Sequence, residues 1–343
     1  MRFSRLAVFS LLFFFGTLSP AYASLGTFHL PSLGAGEFVR TVPCFNSPFS
    51  ESYKGRVEVG LQARWLNTWA HHTKMDGPKD PDNFGWNTPE KLKHGSFLMD
   101  VESLALTPSI LVRLTPRLAV DVSLPVAVQG GGIMDGFIEG FHSLVGVGQH
   151  DRDHWHRGRS GVQYVDKNDN VVDLSDDVER VITGDAQIAV SVLALENPMI
   201  TLRGIAKLPT SRMYDDQENS GTDFTGQALW AWQWGRFVGI HGVGATFYTR
   251  EGEDDLDLER IRYSSINSFE YMASDTFSWL VVLNSASKAA NYPELDKPVV
   301  ELTMGIKRIW GPGIFEFGLI ENLFFFDNSP DFGVHMGYTL KFL

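Results

Sequence analysis

GVHMGYTLKFL, residues 333–343, closes the chain. Every second side chain, Val334, Met336, Tyr338, Leu340 and Phe342, is apolar, and between them stand Gly333, His335, Gly337, Thr339 and Lys341. Successive side chains of an extended strand point to opposite faces, so one flank of this strand is greasy and the other small or polar. The fold turns on whether the greasy flank meets a second sheet or hydrocarbon.

The same alternation recurs upstream. In GRVEVGLQARWLNTW, residues 55–69, Val57, Val59, Leu61, Ala63, Trp65 and Trp69 share a face opposite Glu58, Gln62, Arg64 and Thr68. SFLMDVESLALTPSILVRL, residues 96–114, turns at Thr115-Pro116-Arg117 into LAVDVSLPV, and a slip of phase near Ser103 reads as a bulge. Four further strand pairs are joined at Glu196-Asn197-Pro198, Gly235-Arg236, Ser274-Asp275 and Gly311-Pro312-Gly313, all turn-forming residues. The total is about twelve strands, each near the ~9–11 residues that cross a bilayer when tilted. Connections alternate between these tight turns and long segments at 71–94, 128–182, 210–222, 250–262 and 287–296, with one short exception near Asn328-Ser329-Pro330. Short periplasmic turns, long external loops and an even strand number are the pattern of an outer-membrane barrel. Trp65, Trp69, Tyr263 and Phe325 then fall at the outer rim, and Trp232, Phe277, Trp279, Phe315, Tyr338 and Phe342 at the periplasmic rim. A secreted β-sandwich is the alternative, but it gives no reason for long and short loops to alternate. The expectation is an all-β, transmembrane antiparallel barrel over 55–343, whose greasy flanks face lipid.

Composition agrees. The chain has 343 residues, 43% hydrophobic and 20% charged, with formal net charge −12 and a single cysteine, Cys44. Such an acidic chain carries no electrostatic footprint for nucleic acid, and one cysteine allows no intrachain disulfide. Residues 1–23 read as a cleaved signal peptide: Arg2 and Arg5, an apolar run from Leu6 to Phe15, then Ala21-Tyr22-Ala23. That run is too short to span a bilayer as an anchor. Residues 24–54, rich in Gly, Pro and Phe, read as a periplasmic leader or a plug.

The candidate functional residues are mostly lumenal. The inner face is assigned Glu58, Arg64, Asp100, Glu102, Asp121, Arg203, Lys207, Glu270, Glu301, Lys307, Glu316 and Lys341. Charges of both signs inside a barrel either pair and fill it or line an aqueous path. In GGGIMDGFIEGFH, residues 130–142, the apolar residues repeat at helical spacing. Three readings of that helix stay open: packing over the barrel mouth, lying at the lipid interface, or folding into the lumen, where Asp135, Glu139 and His142 would form a constriction. His150, His154 and His156 are weak candidates for a metal, since their spacing matches no established site. The acidic run EGEDDLDLE, residues 251–259, lacks the ligand order of an EF loop. His94 and Ser96 share a strand face, but no third member completes a hydrolase constellation, so no catalytic residue and no cofactor is assigned.

In GRVEVGLQARWLNTW, in GGGIMDGFIEGFH, in IAKLPTS near 205–211 and in ENLFFFDNSPDFGVHMGY, the chain resembles an uncharacterised outer-membrane family of Gram-negative bacteria, domain of unknown function 3187. That resemblance implies a barrel in the bacterial outer membrane and no known substrate. The C-terminal strand also resembles the assembly signal of outer-membrane barrels, with His335, Gly337, Leu340 and Phe342 in its places and Leu343 displacing the usual terminal aromatic. The functional expectation is a passive or gated channel for small solutes. A non-conducting structural or surface-binding barrel comes second, and an outer-membrane lipid hydrolase third. Expected partners are outer-membrane lipid and lipopolysaccharide, the barrel-assembly machinery and a small solute.

Overall fold

The computed structural model describes residues 24–34, 41–50, 55–72, 95–146, 158, 160–166, 168–173, 181–210, 221–249, 257–293, 295–324 and 328–342. The signal sequence 1–23 lies outside them, as do His94, His150, His154, His156, Phe325 and the side chain of His142. The strands are β1 (Ser32–Leu33), β2 (Val42–Pro43), β3 (Val57–His72), β4 (Phe97–Thr115), β5 (Leu118–Ser123), β6 (Val126–Gly130), β7 (Gly161–Val165), β8 (Val171–Asp173), β9 (Val181–Thr183), β10 (Ala186–Glu196), β11 (Met199–Leu208) and β12 (Asp223–Trp234). They continue with β13 (Phe237–Phe247), β14 (Ile261–Ser274), β15 (Phe277–Ala286), β16 (Val299–Trp310), β17 (Gly313–Asn322) and β18 (Phe332–Phe342). One helix, α1 (Asp135–Val145), lies between β6 and β7.

From β10 to β18 each strand pairs antiparallel with the next; β5 pairs β10 and β4, and β4 pairs β3. Pairing of β18 with β3, from Phe332↔Asn67 to Phe342↔Val57, closes the ring at twelve staves. Two staves are interrupted. Pro125, which has no N–H to donate, separates β5 from β6, and Gly184-Asp185 separates β10 from β9 on the adjacent stave. Closure pairs the long staves of the ring on both sides, which is what lets strands sit in hydrocarbon. The short-turn end carries Trp234, Phe237, Trp279, Trp310 and Phe342 in exposed positions, and Tyr263 is exposed near the other end. Trp69 departs from the expected girdle: it is buried.

No bulge occurs near Ser103. β3 and β4 stay in one register from Val57↔Val112 to His72↔Phe97. The phase slip in the sequence has another cause. Below Ser103, β4 turns Leu104, Leu106 and Ile110 outward, exposed, and Thr107 and Arg113 inward, buried. Above it the same alternation turns Asp100 and Glu102 outward and Phe97, Met99 and Val101 inward. What changes is the surroundings on both sides.

Outside, α1 covers the wall. Met134 and Ile138 pack on the outward-facing Trp65, Phe332 and Val334. The Glu102 carboxylate accepts from Trp65 Nε1 at 2.5 Å and from the Met134 N–H at 2.7 Å. Asp135 accepts from Asn67 Nδ2 at 3.4 Å and from the Gly158 N–H at 2.9 Å. Gly132, at φ +59°, is required here: a Cβ would lie 1.9 Å from the Glu102 carboxyl carbon. Inside, Phe97, Met99 and Val101 meet Val162, Tyr164, Ala289, Ala290, Tyr292 and Leu295 in an apolar cap at the long-loop end. Tyr164 lies opposite Phe97 across the β4–β7 pair. The Tyr292 hydroxyl is 2.9 Å from the Ser96 carbonyl and 2.8 Å from that of Val165. Burial raises the pKa of this phenol above its ordinary value.

Candidate functional site

The barrel interior is occupied by the chain's own N-terminal segment. Its contacts trace two limbs. Ser24 Oγ and the Leu25 N–H donate to Glu270 at 2.6 and 2.9 Å, near the short-turn end of β14. Higher up, Lys307 Nζ donates to the Thr27 carbonyl at 2.9 Å, and His29 meets Glu316 through its N–H at 3.2 Å and its ring at 3.1 Å. Arg64 donates to the Ser32 carbonyl at 2.5 Å, and the Gly34 N–H to Glu301 at 3.1 Å. The second limb starts beside the long-loop end of β13, where the Tyr248 hydroxyl donates to the Thr41 carbonyl at 2.9 Å. It descends past Gln227, which donates to the Pro43 carbonyl at 3.1 Å. Thr201 follows, 3.3 Å from Ser47, and then Arg113, 2.7 Å from the Pro48 carbonyl. β1 and β2 pair between the limbs, Ser32↔Pro43 and Leu33↔Val42.

An apolar strip lies beneath the segment. Leu229, Ala231, Val238, Ile240, Ile266, Leu280, Val282, Ala286, Val299 and Ile320 point inward from β12–β17 and are buried against Phe28, Leu30, Leu33, Val42, Cys44 and Phe45. Each Val, Leu, Ile or Phe side chain buried in this way contributes about 1.5–3 kcal/mol relative to exposure.

Most inner charges are engaged. Glu58 pairs with Arg113 and, at 2.5 Å, with Lys341. Arg203 forms a fork on Asp121 at 2.6 and 2.8 Å. Lys207 sits between Asp185 at 3.4 Å and Asp223 at 3.2 Å. Glu316 gathers His29, Lys307 at 3.3 Å and His335 at 2.9 Å. Arg64 stands 3.6 Å from Glu301. Taken out of water, such charges are tolerable only when paired and hydrogen-bonded.

Two of the charges assigned to the lumen from sequence are elsewhere: Asp100 and Glu102 face outward and are buried, Glu102 beneath the segment that leads into α1. Asp135 and Glu139 form no constriction, because α1 lies against the outside of the wall. Sequence reading missed Arg113, Asp185, Asp223, Gln227 and Tyr248. Arg113 follows the inward parity of Leu111 and was readable without the supposed bulge; the plug contacts have no periodic signal. His335 and Gly337 have packing reasons of their own. His335 bonds Glu316, and a Cβ on Gly337 would fall 1.8 Å from Gln62 Oε1. Leu340 and Phe342 lie on the outward face. Ser96 is buried in the cap. Among the described residues no three His, Cys, Asp or Glu side chains are grouped to hold a metal.

Residues 18–342 match the family model described as a protein of unknown function, DUF3187. The chain belongs to this DUF3187 family. Solved barrels resemble its shape. An outer-membrane channel of the COG4313 group from Pseudomonas putida F1 superposes at TM-score 0.52 with 11% identity, over 84% of this chain and 97% of that one. The toluene transporter TodX of Pseudomonas putida reaches only 0.41 at 9% identity, over 86% and 91%. A FadL homologue of Pseudomonas aeruginosa reaches 0.39 at 8%, over 87% and 93%. No curated protein matches the sequence. The first of these shows the fold of this DUF3187 member: a closed antiparallel barrel of the outer-membrane type, in which short turns go with the periplasmic end and long connections with the outer one.

Proposed function

We propose that this barrel is a gated channel for small solutes, closed by its N-terminal hairpin, and that the apolar inner strip favours solutes with an apolar body. The observation that carries this reading is the double passage of residues 24–34 and 41–50 through the lumen, over a strip from Leu229 to Ile320 that their withdrawal would uncover. An always-open aqueous pore needs a polar lining instead. The polar contacts of the hairpin are mostly to its own backbone, so side chains of the wall hold it in place without covalent attachment along its length. The reading includes export through cleavage after residue 23 and engagement of His335, Gly337, Leu340 and Phe342 by the assembly machinery.

A non-conducting barrel is the second reading, and the pairing of the inner charges favours it. Deleting residues 24–50, with the signal retained, separates the two. The channel reading expects stepwise conductance in planar bilayers and faster uptake of a small aromatic probe into liposomes, where the full chain is nearly silent. A deletion variant that keeps its heat-resistant barrel mobility yet stays silent would sink it. A hydrolase, the third reading, requires phospholipid turnover that Ser96→Ala abolishes.

A further inference from the structure

Helix α1 and the two residues before it carry one apolar side packed on the wall and, beside it, a second apolar flank that is mostly exposed. Met134 and Ile138 face the wall, while Ile133, Phe137 and Leu144 are 79%, 58% and 84% exposed. Phe137, Gly140 and Leu144 recur three and four residues apart along the helix, and Ile133, just ahead of it, continues the spacing. This stripe lies about 100° round the helix from the wall-facing side, and Phe137 still touches Phe332 of the wall with ring centroids 5.2 Å apart; an apolar flank of this kind is normally covered.

The place of α1 says what the second side meets. Its footing, Trp65 and Val334, belongs to a row running Val128–Leu104–Trp65–Val334–Leu319–Met304 across β6, β4, β3, β18, β17 and β16. Val128, Leu104, Leu319 and Met304 in that row are exposed, outward-facing members of the lipid-contacting band. Val334 stands eight residues above Phe342 along β18, which at ~3.4 Å per residue and a ~40° tilt is about 21 Å, near the top of an apolar band ~25 Å tall. The outer surface of α1 stands off the wall by about the 10 Å diameter of a helix. The polar groups at its N-terminus are turned inward: Glu102 and Asp135 are spent on Trp65, Met134, Asn67 and Gly158.

We propose that α1 is a membrane-embedded element outside the barrel, and that Ile133, Phe137 and Leu144 dock into the acyl chains of the outer leaflet. The wall at β3, β4 and β18 is then two layers thick, with α1 taking the place of lipid over Asn67 and Glu102. This inference is independent of conduction through the lumen.

Nitroxide labels test it on the full chain in phosphatidylethanolamine–phosphatidylglycerol vesicles. In a Cys44→Ala background, labels at Ile133→Cys, Phe137→Cys and Leu144→Cys are compared with Met304→Cys in the lipid band and Asp275→Cys in a periplasmic turn. The expected result is oxygen collision several-fold above collision with a water-soluble nickel chelate, as at Met304. A ratio like that at Asp275 would place the stripe in water and overturn the proposal. So would spin–spin broadening that vanishes on dilution with unlabelled protein, since the occupant would then be a second copy. Should the labelled variants not fold, a lipid with a diazirine in its acyl chain serves on the unaltered protein: labelling within 133–144 supports docking, and labelling confined to strand residues such as Met304 refutes it.

Discussion

The lower and upper thirds of the β3–β4 pair are built from one uninterrupted register and have opposite meanings. Below Ser103 the outward side chains are apolar and the inward ones polar, because lipid lies outside and the paired charges and plug lie inside. Above it the outward side chains Asn67, Asp100 and Glu102 are polar and buried, Asn67 and Glu102 under the segment carrying α1, while Phe97, Met99 and Val101 point into an apolar cap. Alternation in sequence reports that a strand has two different sides. Which side is lipid depends on what else the chain has placed there.

Substitutions on the two sides of that boundary should part company. The largest effect is expected inside the lower barrel. Glu316→Ala leaves Lys307 and His335 buried without their carboxylate and releases His29. Breaking a buried pair of this kind costs about 3–5 kcal/mol. The midpoint for urea unfolding in vesicles should fall accordingly, and the bilayer current should rise as the plug loosens. An unchanged current together with an unchanged midpoint would remove Glu316 from the plug's support.

Glu102→Ala acts on the other region. It deletes the acceptor for Trp65 Nε1 and the Met134 N–H, at a cost of about 2–3 kcal/mol. Deuterium exchange should quicken over residues 133–146 while plug exchange over 24–34 and the conductance stay as they were. A conductance change with α1 exchange unaltered would return Glu102 to the lumen.

The smallest effects distinguish two glycines of one loop. Gly132→Ala forces a Cβ against the Glu102 carboxylate at a positive φ and is expected to lower stability by about 1–3 kcal/mol. Gly140→Ala adds a methyl with nothing within 4 Å inside α1 and is expected to raise it by about 0.5–1 kcal/mol. Equal effects in the two would mean that the motif is not shaped by this carboxylate.

The barrel was legible because closure imposes the same period on every strand. The strict run Gly333–Phe342, the two-residue turns at Gly235-Arg236 and Gly311-Pro312, and the alternation of loop lengths each report it locally. Inward charges such as Arg203 and Glu316 followed from parity. Asp100 and Glu102 did not, because a polar residue on the outward face is stabilised only by a partner 30 residues or more along the chain, as with Glu102 and Met134. For residues 24–54 composition leaves leader and plug as alternatives, and the plug's contacts are not legible: they reach from Ser24 to Glu270 and from Thr27 to Lys307, and an irregular segment carries no period that could announce them.

Both limbs of the hairpin meet the periplasmic mouth, Ser24 at the foot of β14 and Pro48 at the foot of β4 beside Arg113. A strand of chain that crossed a pore once would have to be unthreaded, end and all, to clear it. A doubled loop entering and leaving by one opening is a cork: on the channel reading it would be drawn back whole toward the periplasm and reinserted, with the first stave as its tether.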